Sequence, residues 1–194
     1  MQTWKLLAGL LVAGHIISAS WLVHLEVTSV YEAWIGPRSD EVRIALGAVD
    51  IPDLLRGEVW RLFTAPFLHR SLLHLAFNVA GVSALGILFA RSVGGLRWLA
   101  WWAIGELAGE AMSMLLGVKF TDGASGGIIA LIMAIAVAGY RERIPRVARD
   151  RARLLLAIVG LDMVVALAIP GVDAAAHLGG LLAGLACGWF AKRR

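Results

Sequence analysis

Six long stretches of apolar residues constrain this chain more than any other feature of its sequence. Roughly 20 consecutive apolar residues in an α-helix cross a bilayer core of about 30 Å, and these stretches are 16 to 23 residues long. Hydrophobic residues make up 59% of the 194 residues and charged residues 16%. With a mean hydropathy of +0.77, this balance excludes a water-soluble domain. The sequence predicts an all-α membrane protein with six transmembrane helices, at Leu6–Leu25, Leu72–Phe89, Leu96–Val118, Ser125–Tyr140, Leu154–Ile169 and Ala174–Phe190.

The connections between these stretches predict a single membrane domain, residues 1–194. The first stretch follows a lysine, as a signal peptide does, but it exceeds the roughly 7–15 apolar residues of a signal, so we expect a retained helix. The outer loop Glu26–Arg70 mixes charges with tryptophan and aliphatic residues, which is typical of short amphipathic helices at a membrane interface. An arginine-rich linker precedes the fifth stretch, and a Pro170-Gly171 break follows it.

The basic residues predict the orientation in the membrane. Four groups of them fall on one side of the predicted bundle: Lys5, Arg91 with Arg97, the six arginines from Arg141 to Arg153, and Lys192-Arg193-Arg194. The positive-inside rule makes that side cytoplasmic, so we expect both termini there. The net charge of +4 therefore indicates topology and contact with lipid headgroups, and we expect no nucleic-acid partner. The lone Cys187 excludes an internal disulfide, and no residue pattern indicates a metal or another cofactor.

Polar residues inside the predicted spans are candidates for function, because burying them at membrane depth is costly. His74 and Asn78 lie four residues apart, on one face of the second span. Ser125 begins the fourth span, and His177 lies early in the sixth. The predicted topology puts all four in the outer half of the membrane. Three acidic residues complete the set: Glu106, Glu110 and Asp162.

These residue types point to nucleophilic catalysis. A serine needs a neighbouring base to accept its proton, and His177 is suited to that role for Ser125. Gly123 and Gly126 flank the serine and permit a tight loop at a helix N-terminus. His74 and Asn78 could donate hydrogen bonds to an oxyanion, a contribution of roughly 3–4 kcal/mol per donor in comparable hydrolases.

Glycines in the sixth stretch predict a close helix contact. Gly180, Gly184 and Gly188 form a stripe of small residues that would let another helix approach closely. Such proximity between the sixth and fourth spans is what a contact between His177 and Ser125 requires.

Four short motifs, in this order, resemble those of the rhomboid family of intramembrane serine proteases. They are Glu58-Val59-Trp60-Arg61 in the outer loop, His74-Leu75-Ala76-Phe77-Asn78 in the second span, Gly123-Ala124-Ser125-Gly126 at the fourth, and Ala176-His177 followed by Gly180 in the sixth. The resemblance runs from about Glu58 to Gly184, and the chain is similar to the compact six-span form of prokaryotic rhomboids.

The resemblance implies a Ser125–His177 dyad without a required acidic member. It also implies an oxyanion hole from His74, Asn78 and the Ser125 amide. The expected activity is hydrolysis of a peptide bond in or beside a membrane-anchored helix, through an acyl-enzyme. The expected location is a prokaryotic inner membrane, with the active site open to the outer face. Its partners would be transmembrane protein substrates and membrane lipids.

Several residues depart from the family pattern or have open roles. Rhomboids often carry an aromatic residue four after the serine, stacked on the histidine, where this chain has Ile129. His69 resembles a further family histidine of undetermined role. Asp122 lies three residues before Ser125, where a helix N-cap is a simpler interpretation than a triad member. Glu106, Glu110 and Asp162 would pair with interior polar groups or, alternatively, form a proton path.

Two other functions are compatible with the sequence. A rhomboid-like binder of transmembrane helices needs no catalysis, but such relatives generally lack the serine or the histidine, and this chain keeps both. A small proton-coupled transporter would depend on the three acidic residues and not on Ser125. The sequence predicts neither the substrate nor the oligomeric state.

Overall fold

The computed structural model describes residues 2–118, 120–168 and 172–192. Within these ranges the chain is mostly helical. Six helices of 16 residues or more are α1 (Thr3–His24), α6 (Leu72–Val93), α7 (Gly95–Leu115), α8 (Ser125–Tyr140), α9 (Arg146–Ala168) and α10 (Ala174–Trp189). Shorter elements are α2 (Val30–Trp34), α3 (Asp40–Leu46), α4 (Ile51–Leu55), α5 (Arg61–Thr64), a 3₁₀ turn at Ala65–Phe67, and the strands β1 (Val49–Asp50) and β2 (Phe120–Thr121).

Most of each predicted apolar stretch lies in one of these long helices; α1, α7 and α10 end one to three residues before the predicted ends, and α8 begins and ends at the predicted residues. The largest difference is in α9, which begins at Arg146 rather than Leu154. Arginine is a good helix former, so the predicted linker is helical from Arg146 onward. Arg149 forms a 2.8 Å ion pair with Glu142. The predicted end of the fifth stretch and the Pro170-Gly171 break lie outside the described residues.

By length and composition, α1 and α6 are helices that could cross a membrane, and α8 and α10 are shorter apolar helices of 16 residues. The outward faces of the long helices are strongly apolar. Among the large side chains exposed there, Ile17 is 68% exposed, Phe77 70% and Leu167 77%. Large apolar side chains exposed in this way are suited to contact with lipid.

Helix α8 is the centre of the structure, with 12 of its 16 residues buried. Helices α7, α9 and α10 pack around it, and α1 packs on α6. The side of α10 that faces α8 carries the predicted glycine stripe. A Cβ atom at Gly180, Gly184 or Gly188 would lie 2.1, 2.4 or 2.5 Å from a carbonyl oxygen of α8. The two backbones are therefore in direct contact, and the predicted close approach of the sixth and fourth stretches is confirmed.

The loop before α6 folds into short helices held by a buried arginine. Arg61 pairs with Asp53 at 2.7 Å and with Glu58 at 2.8 Å, and it donates to the carbonyl oxygens of Ile44 and Ala48. The Trp60-Arg61 motif thus organises the outer loop. The sequence analysis did not predict the antiparallel pair of β1 and β2, which ties this loop to the segment that leads into α8.

Contacts near the predicted basic groups connect helix ends opposite Ser125, whereas five other arginines lie in the outer loop: Arg38, Arg43, Arg56, Arg61 and Arg70. Arg97 donates to the carbonyl oxygen of Lys192 at 3.1 Å, and the Arg141 guanidinium lies 4.0 Å from the centre of the Trp189 ring. The Thr3 hydroxyl donates to the carbonyl of Gly95. Contacts therefore connect the chain start, the α6–α7 junction, the end of α8 and the segment after α10, as predicted for the charge groups. Arg193 and Arg194 lie outside the described residues.

Candidate active site

Ser125 is the first residue of α8, and the backbone before it depends on a glycine. Gly123 has φ +101°, a left-handed conformation that other residues rarely adopt. A Cβ atom there would also lie 2.7 Å from the His74 ring. The Gly123 amide donates to the carbonyl of Ala65 at 2.9 Å. These contacts fix the turn that presents the serine hydroxyl.

His177 reaches Ser125 from the first turn of α10. Asp173 caps this helix by accepting a hydrogen bond from the Ala176 amide at 2.9 Å. The direct contact between α10 and α8 brings His177 Nε2 to 2.9 Å from Ser125 Oγ. The histidine is only 6% exposed. The two residues predicted to act together are 52 positions apart in the chain and within hydrogen-bond distance in the structure.

The other ring nitrogen of His177 has a partner that the sequence analysis did not assign to it. His177 Nδ1 lies 2.8 Å from Asp162 Oδ2, on α9. The resemblance implied a histidine without a required acidic partner. Ile129, where an aromatic ring is usual, is buried at 3% exposure. Among the described ring pairs, none includes His177. A lone aspartate in an apolar stretch was the available signal, but nothing in the sequence connected it to His177.

His74 lies beside the turn that precedes Ser125, while Asn78 is buried one helical turn further along α6. The Asn78 side chain donates to the carbonyl of His74 at 2.9 Å, and an amide group keeps a second N–H. His74 Nδ1 has no hydrogen-bond partner among the described residues. The Ser125 amide belongs to the first turn of α8, where N–H groups lack partners within the helix. The side chains of His74 and Asn78 on α6 and the Ser125 amide on α8 thus lie on two helices that contact each other.

His69 packs edge-on against His74, with ring centres 5.1 Å apart. His69 is 1% exposed, and this burial lowers its pKa to about 3, with the nearby His74 as a smaller cause. The ring is therefore neutral at physiological pH. Its contact helps to fix the orientation of the His74 ring.

Asp122 does not cap α8, so that prediction is wrong. The N-cap position is Ala124, without a side-chain hydrogen bond. Asp122 instead forms a 3.1 Å ion pair with Arg43 of α3, and its side chain is 5% exposed. Burial raises the pKa of Asp122 to about 6, although the Arg43 charge opposes the rise. The residue attaches the outer loop to the turn before Ser125.

Glu106, and not Asp122, accepts a hydrogen bond from the first turn of α8. Its Oε1 accepts a hydrogen bond from the Gly127 amide at 2.7 Å, in a fully buried contact from α7. This agrees with the predicted role of pairing with interior polar groups. Glu110 is also buried, and its Oε2 has no hydrogen-bond partner within the described chain.

A serine hydroxyl, an imidazole and a carboxylate thus follow one another at 2.9 and 2.8 Å, an arrangement able to activate the serine for acyl transfer. The sequence model of the Rhomboid domain matches residues 56–194. The chain belongs to the rhomboid family. This confirms the family expected from the four motifs, and rhomboid membership makes the chain an integral membrane protein.

Named rhomboid relatives come from bacteria, plants and mammals. Rhomboid protease GluP of Bacillus subtilis (strain 168) is 28% identical over 149 residues, covering 77% of this chain and 29% of the relative. RHOMBOID-like protein 6, mitochondrial, of Arabidopsis thaliana is 31% identical over 164 residues, covering 81% and 52%. Rhomboid-related protein 2 of Mus musculus is 29% identical over 184 residues, covering 87% and 61%. The chain therefore spans between about a third and three fifths of these rhomboids.

Proposed function

We propose that this rhomboid is an intramembrane serine endopeptidase that cleaves membrane-anchored proteins in or near a transmembrane helix. The 2.9 Å contact between Ser125 Oγ and His177 Nε2 carries the proposal. Membership of a family that includes a named protease supports it.

The reaction begins when Ser125 Oγ attacks the carbonyl carbon of the scissile peptide bond. His177 Nε2 accepts the hydroxyl proton as the C–O bond forms. The tetrahedral intermediate then collapses, the C–N bond breaks, and His177 returns the proton to the leaving amine. Water, deprotonated by the same imidazole, hydrolyses the acyl-enzyme and regenerates the serine.

The oxyanion of the tetrahedral intermediate would be stabilised by donors around the start of α8. We assign this role to the Ser125 amide, the His74 ring and the second N–H of Asn78. A single donor of this kind typically contributes about 10²–10³ in kcat. Gly126 is buried against α7 and α10, where a Cβ atom would lie 3.5 Å from Glu106 Oε2 and 3.6 Å from the Ala176 carbonyl oxygen, so its small size serves the packing of these helices beside the serine.

In the proposed topology all six long helices span the membrane. The basic end of the bundle faces the cytoplasm, so Ser125 and His177 lie towards the outer face, beneath the interfacial helices of the outer loop. Helices α8 and α10, with 16 residues each, would be about 24 Å long, which suits spans that begin below the membrane surface. We place the protein in a prokaryotic cell membrane with both termini cytoplasmic.

Labelling with a fluorescent fluorophosphonate tests the nucleophile. Wild-type protein in detergent should be labelled, while Ser125→Ala and His177→Ala should not. Ser20→Ala is the matched control, because Ser20 is exposed on α1, and it should be labelled like wild type. Membrane-anchored proteins in reconstituted vesicles should be cleaved by wild type and by Ser20→Ala, and should not be cleaved by Ser125→Ala or His177→Ala.

Cleavage that is unchanged in Ser125→Ala would falsify the proposed mechanism. A folded wild type that neither labels nor cleaves, but still binds transmembrane helices, would favour the non-catalytic alternative. Proton-driven flux in liposomes that depends on Glu106 and Glu110 would favour a transporter.

A further inference from the structure

Asp162 occupies a position where the pattern of α9 calls for an apolar residue. Leu155, Val159 and Ala166 are buried along one side of this helix, and Asp162 follows the same spacing of three or four residues. Its side chain is 26% exposed. A carboxylate in such a stripe costs free energy unless it has a partner.

The partner of Asp162 is His177. Within the described chain, the 2.8 Å contact with His177 Nδ1 is the hydrogen bond or ion pair formed by this carboxylate. Both nitrogens of His177 are therefore engaged, one by Asp162 and one by Ser125. An ionised carboxylate can only accept a hydrogen bond, so Asp162 favours the imidazole tautomer in which Nδ1 carries the proton. That tautomer leaves the Nε2 lone pair facing the Ser125 hydroxyl, as a general base requires.

We propose that Asp162 is a positioning residue, which holds His177 in the orientation and tautomer that activate Ser125 and stabilises the imidazolium formed during acyl transfer. This inference rests on the proposed protease function. Three helices then each supply one group: α8 the nucleophile, α10 the base, and α9 the carboxylate. No described aromatic ring pair includes His177, and Asp162 is the described hydrogen-bonding partner of the imidazole opposite the serine.

Fluorophosphonate labelling kinetics distinguish serine activation from probe binding, because the maximal labelling rate reports activation and the half-saturating concentration reports binding. The Tm reports folding separately. Asp162→Asn should lower the maximal rate about 100-fold, since an amide can donate to Nδ1 and favour the wrong tautomer. The half-saturating concentration and the Tm in detergent should stay at wild-type values. Asp162→Glu, which keeps the carboxylate, should recover at least a tenth of the wild-type rate.

Asp150→Asn is the matched control, since it makes the same chemical change at an exposed position of the same helix, and its labelling should be that of wild type. A maximal rate for Asp162→Asn within tenfold of wild type would overturn the inference. So would equal losses in Asp162→Asn and in a folded Asp162→Glu. If wild type itself is not labelled, the proposed protease function fails instead, so the two failures are distinguishable.

A measurement on wild-type protein covers the case in which Asp162→Asn does not fold. Proton NMR in detergent should show a strongly deshielded imidazole N–H signal, as a proton shared between Nδ1 and a carboxylate produces. His177→Gln should remove the signal and Asp150→Asn should keep it. Absence of the signal from unmodified wild-type protein of a preparation that reacts with the fluorophosphonate would also overturn the inference.

Discussion

Replacing Gly180 by alanine should separate Ser125 from His177 without touching either residue. A Cβ atom at Gly180 would lie 2.1 Å from the carbonyl oxygen of Gly126, whereas real Cβ contacts are essentially never shorter than 3.0 Å. The neighbour is backbone and cannot rotate away. Helix α10 must therefore move from α8 by roughly 0.9 Å to accept the methyl group.

His177 lies one turn before Gly180 on the same side of α10, so it moves with the helix. The distance from His177 Nε2 to Ser125 Oγ would grow from 2.9 Å to about 3.8 Å, beyond hydrogen-bond range. A misplacement of about 1 Å can lower a rate about 100-fold. Overpacking costs about 1–3 kcal/mol, but alanine is about 1 kcal/mol more favourable than glycine in a helix, so the net loss of stability should be about 0–2 kcal/mol.

The assay is the fluorophosphonate labelling rate, measured alongside the Tm in detergent. Gly188→Ala is the structural control, because its Cβ would also clash with α8, at 2.5 Å, but about three turns from His177. It should lose similar stability and keep a labelling rate within threefold of wild type. Gly9→Ala, with nothing within 4 Å, should keep the wild-type labelling rate and raise the Tm slightly, because alanine is more favourable than glycine inside a helix. A wild-type labelling rate in Gly180→Ala would refute the reasoning, as would an equal loss of labelling in Gly188→Ala.

Two further predictions concern the segment around the start of α8. Burial raises the pKa of Asp122 from 3.8 to about 6, so the folded protein binds this proton more tightly than the unfolded chain. The free energy of unfolding of wild type, compared with that of Asp122→Asn, should therefore fall by roughly 3 kcal/mol as the pH rises from about 4 to 6. A difference in Tm between the two proteins that stays constant across this range would contradict the prediction. Glu106→Gln keeps an acceptor for the Gly127 amide and should be tolerated, whereas Glu106→Ala should lower the free energy of unfolding by about 1–3 kcal/mol in detergent; equal stabilities would count against the capping role.

The helices and the candidate dyad were predictable because their signals are local in the sequence. Apolar stretches predicted all six long helices. The polar types of Ser125 and His177, their expected common depth in the membrane and the motifs around them identified the candidate dyad. The order of the four motifs indicated the rhomboid family. The glycine stripe predicted that another helix would approach α10 closely, since small residues aligned on one face permit such contact, and the expected pairing of His177 with Ser125 indicated that this helix is α8.

Other features depended on contacts between distant parts of the chain. The sequence predicts a linker where α9 begins, because charged residues interrupt the apolar pattern there. Arginine nevertheless favours the helical conformation, and the segment from Arg146 is helical. Asp122 was assigned to a cap three residues away, but its partner is Arg43, 79 residues earlier. The pair of β1 and β2 consists of two residues on each side, too few to leave a pattern in the sequence.

The sequence by itself determined the membrane environment and the helices, because composition and apolar stretches are local properties. Four short motifs, which are also local, indicated the family and the candidate nucleophile and base. Only the tertiary structure decided which carboxylate faces His177. Asp162, Glu106 and Glu110 are alike as acidic residues in apolar helices, and the sequence gives no means of ranking them. The packing of α9 on α8, and the backbone contact of α10 with α8, bring Asp162 to the imidazole, while Glu106 is directed to the Gly127 amide.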